Sequence, residues 1–343
     1  MKLVASLPLG DLNLIPAAAQ AAEAAGFDRI SQAENRHDPF LPLGVAAIST
    51  QKIELATGVA IAFPRSPMVV ANTAWDLQQS SGGRFVLGLG PQIRPHNERR
   101  FSVPWSAPAP RLREYVQALR AIWRCWQLGE KLDFRGEHYT FTLMIPNFSP
   151  EPVEVPSVPI TLAAIGPNSL RLSGEVADGV QIHPFCTRAY LEQVCMKRIE
   201  EGMAKTGRQR THFEVQGGGF VATGVDDEAV AKAVAFVRYR IAFYGSTPSY
   251  WPVLEQHDLL DLGHKLNTMT KAGQWDEIAA EISDDTLRLF AVVGRHDQVA
   301  REIAARFGGL SDSIGVDPDL PADVIQELQK LDTPFAGFLS EWP

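Results

Sequence analysis

The sequence has few cysteines and no long uninterrupted apolar run. Its three cysteines, Cys125, Cys186 and Cys195, form no C-x-x-C pair. Such sparse cysteine indicates neither a disulfide framework nor a zinc site and is typical of a reducing cytoplasm. The apolar run at the amino terminus is broken by Pro8 and Asp11, which is unlike a secretory signal, and no run is long enough to cross a bilayer. We therefore expect a cytoplasmic protein that does not span a membrane and holds no metal.

Basic residues are outnumbered. The chain has 32 lysine and arginine residues against 40 aspartate and glutamate residues, which gives a formal net charge of −8. Nucleic-acid binding needs a basic surface that neutralises phosphates, so this balance disfavours nucleic acid as a partner. Hydrophobic residues make up 45% of the 343 positions, which is enough for a large buried core.

Short apolar runs alternate with helical patterns along the chain. Pro16 lies in the first turn of an alanine-rich segment that ends at Gly26, and Gly82-Gly83 stops the segment that begins at Pro67. This alternation is typical of βα units and a parallel sheet. The predicted strands are 2–7, 27–33, 53–63, 84–89, 159–164, 179–182, 213–222 and 313–316. Eight strands favour a (β/α)8 TIM barrel, although periodicity alone leaves an open doubly wound sheet as an alternative.

Two segments exceed a minimal βα unit. A β-hairpin around Arg135-Gly136 is predicted within 129–158, and residues 242–292 form the second segment. We expect a single barrel domain over 1–343 that carries both as insertions. The helices predicted between the strands cover 16–25, 42–50, 67–81, 111–127, 166–177, 187–206 and 297–307, with one more that opens at Asp226.

The run FVLGLGPQ at 85–92 raises the question of a dinucleotide-binding loop. That fingerprint needs a third glycine where this chain has Ile93, and Pro91 blocks a smooth entry into a helix. The glycines Gly88 and Gly90 then mark either a tight turn at a strand end or a place where a flat cofactor lies against the backbone.

Several stretches together resemble the bacterial luciferase-like superfamily, and more narrowly its deazaflavin (coenzyme F-420) dependent oxidoreductases. They follow one another in order over most of the chain: ATGVAIAFPRSP (56–67), AWDLQQSSGGRFVLGLG (74–90), HNERRFSVPW (96–105), LAAIGPNSLRLSGEVADGVQIHPF (162–185) and AFYGSTPSYWPVLE (242–255). The resemblance implies a TIM barrel and transfer of a hydride between carbon 5 of the deazaflavin and a small organic substrate. It also implies a homo-oligomer, dimeric or larger.

The resemblance places the cofactor ring against the third strand. Members of the family carry a non-prolyl cis peptide there, and the matching bond is Gly58–Val59, followed by Ala60. Gly88 and Gly90, at the end of the fourth strand, would allow the ring to approach closely.

The candidates for proton transfer follow the second strand. The family pattern of an acidic residue followed by histidine is only partly kept, because Glu34 is followed by Asn35, and His37 comes two positions later. A histidine titrates near neutral pH and suits proton donation as hydride reaches carbon. We therefore assign Glu34 and His37 catalytic roles and place Asn35 beside the cofactor; a surface salt network is the alternative for His37.

Other residues implied to bind the cofactor lie in later loops. Glu98 follows the fourth strand and His183 ends the sixth. Two helix starts, whose free N–H groups suit an anion, are implied to hold the cofactor phosphate: Gly166, Pro167 and Asn168 in one, Thr187 and Arg188 in the other. A basic rim for the acidic tail would come from Arg65, Arg94, Arg99 and Arg100.

Two other functions remain open at this point. One is an FMN-dependent two-component monooxygenase of the same superfamily, because the motifs do not separate FMN from deazaflavin. The other is a non-catalytic flavin- or deazaflavin-binding protein, because the usual acid–histidine pair is interrupted by Asn35.

Overall fold

The computed structural model describes residues 1–8 and 10–342 and contains a closed barrel of parallel strands. The strands, in chain order, are β1 (Lys2–Ser6), β2 (Arg29–Gln32), β3 (Glu54–Thr57), β4 (Ala60–Ile61), β5 (Phe85–Gly90), β6 (Phe134–Arg135), β7 (Thr140–Phe141), β8 (Ile160–Ala164), β9 (Gly179–Ile182), β10 (Glu214–Gly217), β11 (Phe220–Gly224), β12 (Ala291–Arg295) and β13 (Ser313–Gly315). Around the barrel the strands follow the order β1-β2-β3-β5-β8-β9-β10-β13, and β13 pairs with β1 to close it. The short strand β4 follows β3 in the chain and also pairs with β5. The predicted (β/α)8 barrel is confirmed.

Helices connect and cover the strands. They are α1 (Ile15–Ala25), α2 (Phe40–Ser49), α3 (Pro67–Ser80), α4 (Arg94–Arg99), α5 (Pro108–Leu128), α6 (Pro167–Val176), α7 (Arg188–Tyr190), α8 (Met196–Thr206), α9 (Asp227–Gly245), α10 (Trp251–Glu255), α11 (Leu260–Lys271), α12 (Asp284–Phe290), α13 (His296–Phe307) and α14 (Ala322–Gln329). A π-helical turn over Leu191–Cys195 joins α7 to α8. None of the helices in the described parts of the chain has the length and apolar character needed to cross a membrane.

The barrel strands are buried by the helices outside and by one another inside. All six residues of β5 are buried, as expected for a parallel strand covered on both faces. Its register places Leu55 opposite Phe85 and Leu87 opposite Ile160. Since all strands are parallel, their carboxyl ends open on one face of the barrel, where loops from separate parts of the sequence meet.

Two predicted strands are wrong in extent. The strand predicted over 53–63 is divided into β3 and β4 by the Gly58–Val59 bond, which is cis, as the resemblance implied. The strand predicted over 213–222 stops at Gly217, because Gly217 and Gly218 have φ values of 84° and 106° that turn the chain out of the barrel. The residues after this turn form β11, which pairs with β12 in a separate two-stranded parallel sheet.

The two segments that exceed a minimal unit have structures of their own. In the first, β6 and β7 form an antiparallel hairpin. Residues 242–292 hold the end of α9, the helices α10, α11 and α12, and the start of β12. These elements share a second apolar core with β9 and β10, in which Phe185 stacks on Phe290 at 4.5 Å between ring centroids.

A buried ion network lies at the opposite end of the barrel. Arg29, Glu54 and Glu214 are the first residues of their strands, so they meet at the amino-terminal face. Arg29 is fully buried and donates to both Glu214 oxygens at 2.9 and 3.0 Å and to Glu54 Oε2 at 2.6 and 2.9 Å. This end of the barrel is therefore closed by paired charges.

Candidate active site at the carboxyl ends of the barrel strands

A cavity of about 700 Å³ opens where the barrel strands end. Its lining comes from the loop after β2, the Gly58–Val59 bulge, the end of β5, the start of α5, the turn from β8 into α6, and two later aromatic residues. Of the residues predicted for the site, nine line it: Glu34, Asn35, Gly58, Val59, Gly90, Gly166, Pro167, Asn168 and His183. Six do not: His37, Ala60, Gly88, Glu98, Thr187 and Arg188.

A second cavity of about 750 Å³ lies at the other end of the strands, where Val158 and Asp178 precede β8 and β9. The carboxylate of Asp178 is already paired with Arg120 and Arg208, each at 3.0 Å. Because barrel enzymes build their sites at the carboxyl ends, the first cavity is the candidate active site.

The floor of the cavity is made of residues with little or no side chain. A Cβ at Gly90 would lie 2.8 Å from Val59 Cγ2 and 3.4 Å from Ala163 Cβ, both of which line the cavity. A Cβ at Gly58 would instead overlap the Ser31 hydroxyl, so this glycine is required by packing against β2. Ala163 and Ala164 continue this surface on β8. A flat group can therefore approach the backbone closely here.

Gly88 serves a different purpose from the one predicted. A Cβ there would overlap the Thr57 carbonyl oxygen and the Gln181 side-chain nitrogen. The Thr57 hydroxyl donates to the Gly88 carbonyl at 2.7 Å, and the Gly88 N–H donates back to it at 2.8 Å. Gly88 is thus required by packing inside the barrel, outside the cavity lining. Ala60 is also fully buried, in β4, and does not reach the cavity.

Glu34 reaches the cavity but its oxygens are already bonded. Both accept from Arg65 Nη1, at 3.0 and 2.7 Å, and Oε2 also accepts the Ile61 N–H at 2.7 Å. Arg65 pairs with Asp38 as well, at 2.9 Å. Burial lowers the pKa of Arg65, but the hydrogen bonds and charges of the two carboxylates outweigh it and raise this pKa above its ordinary value. Glu34 therefore holds the loop after β2 against β4.

The predicted proton donor His37 lies elsewhere. Its ring is exposed, outside the cavity lining, and near Gly10 in another loop. Asn35 is exposed at the cavity edge, and its carbonyl accepts a hydrogen bond from Arg100. The two residues between Asn35 and Asp38 thus turn away from the lining instead of following Glu34 into it.

Glu98 forms a surface ion pair. It lies on α4 and accepts from Arg94 Nε at 3.0 Å, one helical turn away. Both side chains are at least one-third exposed, and neither lines the cavity. The pair is the ordinary product of i,i+4 spacing on a helix.

The two helix starts predicted to bind phosphate differ. Gly166 caps α6 and lines the cavity together with Pro167, Asn168 and Ser169. The side chains of the second start point into the protein: the buried Thr187 hydroxyl accepts the Tyr190 N–H at 3.1 Å and meets His257 Nε2 at 2.7 Å. Of these two helix starts, the α6 start is the one that is open to the cavity.

Arg188 is also engaged within the protein. Its Nη1 donates to the Arg306 carbonyl at 2.7 Å, and Arg306 is itself buried, donating to the Cys186 carbonyl at 2.8 Å. These contacts tie the start of α7 to α13. The Arg188 guanidinium, which the sequence suggested for an anion site, therefore donates to backbone carbonyls within the protein.

The far end of the cavity is aromatic. The His183 ring lies 4.3 Å from the Tyr244 ring and 4.7 Å from the Tyr250 ring, between centroids. Burial, together with the charge of Arg240, lowers the pKa of His183 to about 3. The two tyrosines were not predicted as site residues, although both lie in the stretch AFYGSTPSYWPVLE.

One cluster of metal-ligand types lies outside the cavity. Glu114, Glu137 and His138 bring their ligand atoms together at the hairpin. The Glu114 carboxylate, however, accepts the backbone N–H groups of Glu137 at 3.0 Å and His138 at 2.8 Å. Its place is explained by fastening the hairpin to α5.

Comparison with known proteins agrees with this architecture. An uncharacterized protein of Mycobacterium tuberculosis is 48% identical over 314 residues, covering 92% of each chain. The 5,10-methylenetetrahydromethanopterin reductase of Archaeoglobus fulgidus is 29% identical over 290 residues, covering 82% of each. The solved structure of the coenzyme F-420 dependent tetrahydromethanopterin reductase from Methanopyrus kandleri has a TM-score of 0.75 at 20% identity, covering 96% of this chain and 97% of that one. A model of the luciferase-like monooxygenase family matches residues 5–312, and the chain belongs to this family.

Proposed function

We propose that this protein is a coenzyme F-420-dependent oxidoreductase that transfers a hydride between the deazaflavin and a small organic substrate. The observation that carries the proposal is the single cavity in which a floor of small residues, a free helix start and an aromatic end come together. The Archaeoglobus relative, a reductase, and the Methanopyrus enzyme, described as F-420 dependent, support the same reading.

The lining suits a flat tricyclic ring. Gly90 adds no side chain to the lining, Ala163 adds only a methyl group, and Gly58 and Val59 line the cavity beside them. Ile61, Leu112 and Leu172 supply apolar surface around this floor. A ring placed here would be held by close packing with backbone and small side chains.

The α6 start suits the phosphate of the cofactor tail. Gly166 caps a helix of ten residues whose first N–H groups have no partner within the helix. Arg99 lies on the exposed helix α4 and would add positive charge at the rim, whereas Arg94 on the same helix is paired with Glu98. Arg65 and Arg100 are bonded to Glu34 and the Asn35 carbonyl, so their part in the rim is to orient the loop after β2.

The bound deazaflavin would supply or accept the hydride at carbon 5. Glu34, through Ile61 and Arg65, would hold the bulge that backs the ring. We assign Glu34 this positioning role in place of proton transfer, because both of its oxygens are occupied. His37 has no part in the proposal, since its ring is exposed outside the lining.

The test is a fluorescence titration of the purified apoprotein with oxidised F-420 and, separately, with FMN. Ala163→Leu fills the floor and should weaken F-420 binding about tenfold or more, since overpacking costs roughly 1–3 kcal/mol. Ala305→Leu makes the same change on the exposed face of α13 and should leave binding unchanged. Failure of the wild type to bind F-420 would refute the proposal.

An FMN-dependent monooxygenase is the second candidate, favoured by the name of the matching family. Tight FMN binding with weak F-420 binding would select it, because reduced flavin activates oxygen and the deazaflavin does not. Binding of either cofactor with no turnover against a substrate panel would instead indicate a binding protein.

A further inference from the structure

We infer that His183 and Tyr250 form the substrate-recognition end of the cavity, and that the substrate is an uncharged carbonyl compound, or its alcohol, whose oxygen accepts a hydrogen bond from His183 Nε2. The inference rests on the proposed function, since it names the substrate class of the same cavity. The polar groups that meet the substrate oxygen would then come from the residue after β9 and the turn after α9, whereas the sequence predicted them in the loop after β2.

The hydrogen bonds of His183 define its tautomer. The Phe185 N–H donates to His183 Nδ1 at 3.0 Å, so Nδ1 is an acceptor. In a neutral imidazole the other nitrogen then carries the proton. Nε2 makes no hydrogen bond with the described residues and is not sealed from solvent, while the residue lines the cavity. His183 therefore presents one N–H donor without a protein partner.

The surroundings keep this donor neutral. The charged or titratable groups that face His183 are Arg240, Tyr244 and Tyr250. Burial and the Arg240 charge lower the pKa of His183 to about 3, so the ring is uncharged at neutral pH. A neutral imidazole donates a hydrogen bond without transferring its proton, which suits polarisation of a carbonyl.

Tyr250 supplies a second neutral donor. Burial raises the pKa of its phenol above the ordinary value, and Tyr244 adds to the shift, so the group keeps its proton. The Tyr244 hydroxyl already accepts a hydrogen bond from Arg240, whereas the Tyr250 hydroxyl has no bond with the described residues, and Tyr250 is one of the residues that line the cavity. Two neutral donors from adjacent rings match an acceptor oxygen better than they match a cation.

The charge of the lining decides against an anionic substrate. Among the described residues that line the cavity there is no lysine or arginine, and the one carboxylate is Glu34. A carboxylate or phosphate on the substrate would find no cationic side chain in the lining, because the α6 start is assigned to the cofactor phosphate and Arg240, outside the lining, is bonded to the Tyr244 hydroxyl. Desolvating such an anion is costly. An uncharged oxygen compound meets only apolar contacts and hydrogen-bond donors.

The reaction balances with a carbonyl substrate. A bound reduced deazaflavin would supply the hydride to the carbonyl carbon, and the π pair of the C=O bond would move to the oxygen. Water would supply the proton that completes the alcohol. His183 and Tyr250 would stabilise the charge that develops on the oxygen, as preorganised donors do in oxyanion sites.

The test is a calorimetric measurement of benzamide affinity, made with the apoprotein and with the F-420-loaded protein. Benzamide is an uncharged carbonyl compound that hydride does not readily reduce. Benzoate is the charged comparison. We expect wild type to bind benzamide at least about tenfold more tightly than benzoate, and His183→Phe to lose about three- to tenfold for benzamide, as expected for one neutral hydrogen bond. His183→Gln, which restores an N–H donor, should recover most of the loss, and His96→Phe, on the exposed helix α4, should change nothing.

Turnover gives a second readout with F-420 and benzaldehyde. His183→Phe should lower kcat/KM about a hundredfold or more, as for removal of an oxyanion donor, and 4-carboxybenzaldehyde should be a poorer substrate. Labelled-histidine NMR should show Nε2–H at neutral pH and no titration of His183 above pH 5. Benzoate binding as tightly as benzamide, or an unchanged benzamide affinity in His183→Phe, would overturn the inference. Absence of F-420 binding would refute the proposed function. The two failures can be distinguished because benzamide affinity is also measured with the apoprotein, which does not require the cofactor.

Discussion

Replacing His183 with phenylalanine should remove part of the pH dependence of unfolding. In the folded protein burial, with Arg240, lowers the pKa of His183 to about 3, whereas an unfolded histidine titrates near 6.5. Between these values the unfolded chain binds more protons, so stability is fully present above pH 6.5 and is lost as pH falls. For this one group the loss between pH 6 and pH 5 is roughly 1 kcal/mol. The variant should lack that loss.

The measurement is urea unfolding of wild type, His183→Phe and the exposed-ring control His96→Phe at pH 7, 6 and 5. Other groups titrate alike in all three proteins, so the difference between wild type and His183→Phe isolates the one ring. His96→Phe should follow the wild type. If His183→Phe loses as much free energy of unfolding between pH 6 and pH 5 as the wild type does, His183 titrates normally in the fold, and the neutral-donor argument fails with it.

Three further predictions test the framework around the site. Gly88→Ala should cost about 1–3 kcal/mol of unfolding free energy in a urea titration because its methyl group overlaps barrel atoms, while Gly315→Ala, with open space around it, should cost little. Arg29→Met should cost roughly 3–5 kcal/mol because it leaves a buried carboxylate unpaired; loss of less than about 1 kcal/mol would contradict this. We propose that the chain is a homo-oligomer through α2, where Leu41 and Ile48 are 62% and 76% exposed two helical turns apart. The double change of both residues to glutamate should then reduce the mass measured by light scattering, and a monomeric wild type would refute it.

The βα units could be predicted because their signal is local and repeated, whereas closure into a barrel was predicted from the family resemblance. Apolar runs alternate with helical patterns along the chain, and the parallel strands of a barrel have their carboxyl ends on one face. For the same reason Glu34, Gly90, Gly166 and His183, each at or just after a strand end, were expected near one another and do line one cavity.

The direction of each loop was decided by distant partners. Thr187 and Arg188 look like an anion site in the sequence, yet His257 and the Arg306 carbonyl, far along the chain, occupy them. The positive φ angle at Gly217 likewise ends β10, although the strand was predicted to continue to residue 222. Neither the distant hydrogen bonds nor this turn produces a periodic pattern that can be recognised in a single sequence.

Short-range pattern in the amino-acid sequence determined the succession of βα units, and the resemblance to a known family added the closed barrel and with it the mouth where a site had to lie. Only the tertiary structure decided which side chains reach that mouth. Packing between α13 and the start of α7 turns Arg188 inward, and the Glu34–Arg65 pair occupies the expected acid. The last turn of α9 and the turn that follows it bring Tyr244 and Tyr250 against His183. Side-chain roles at this site are set by hydrogen-bond partners that lie 31 residues away for Glu34 and 118 residues away for Arg188, and such partners are chosen by packing in three dimensions.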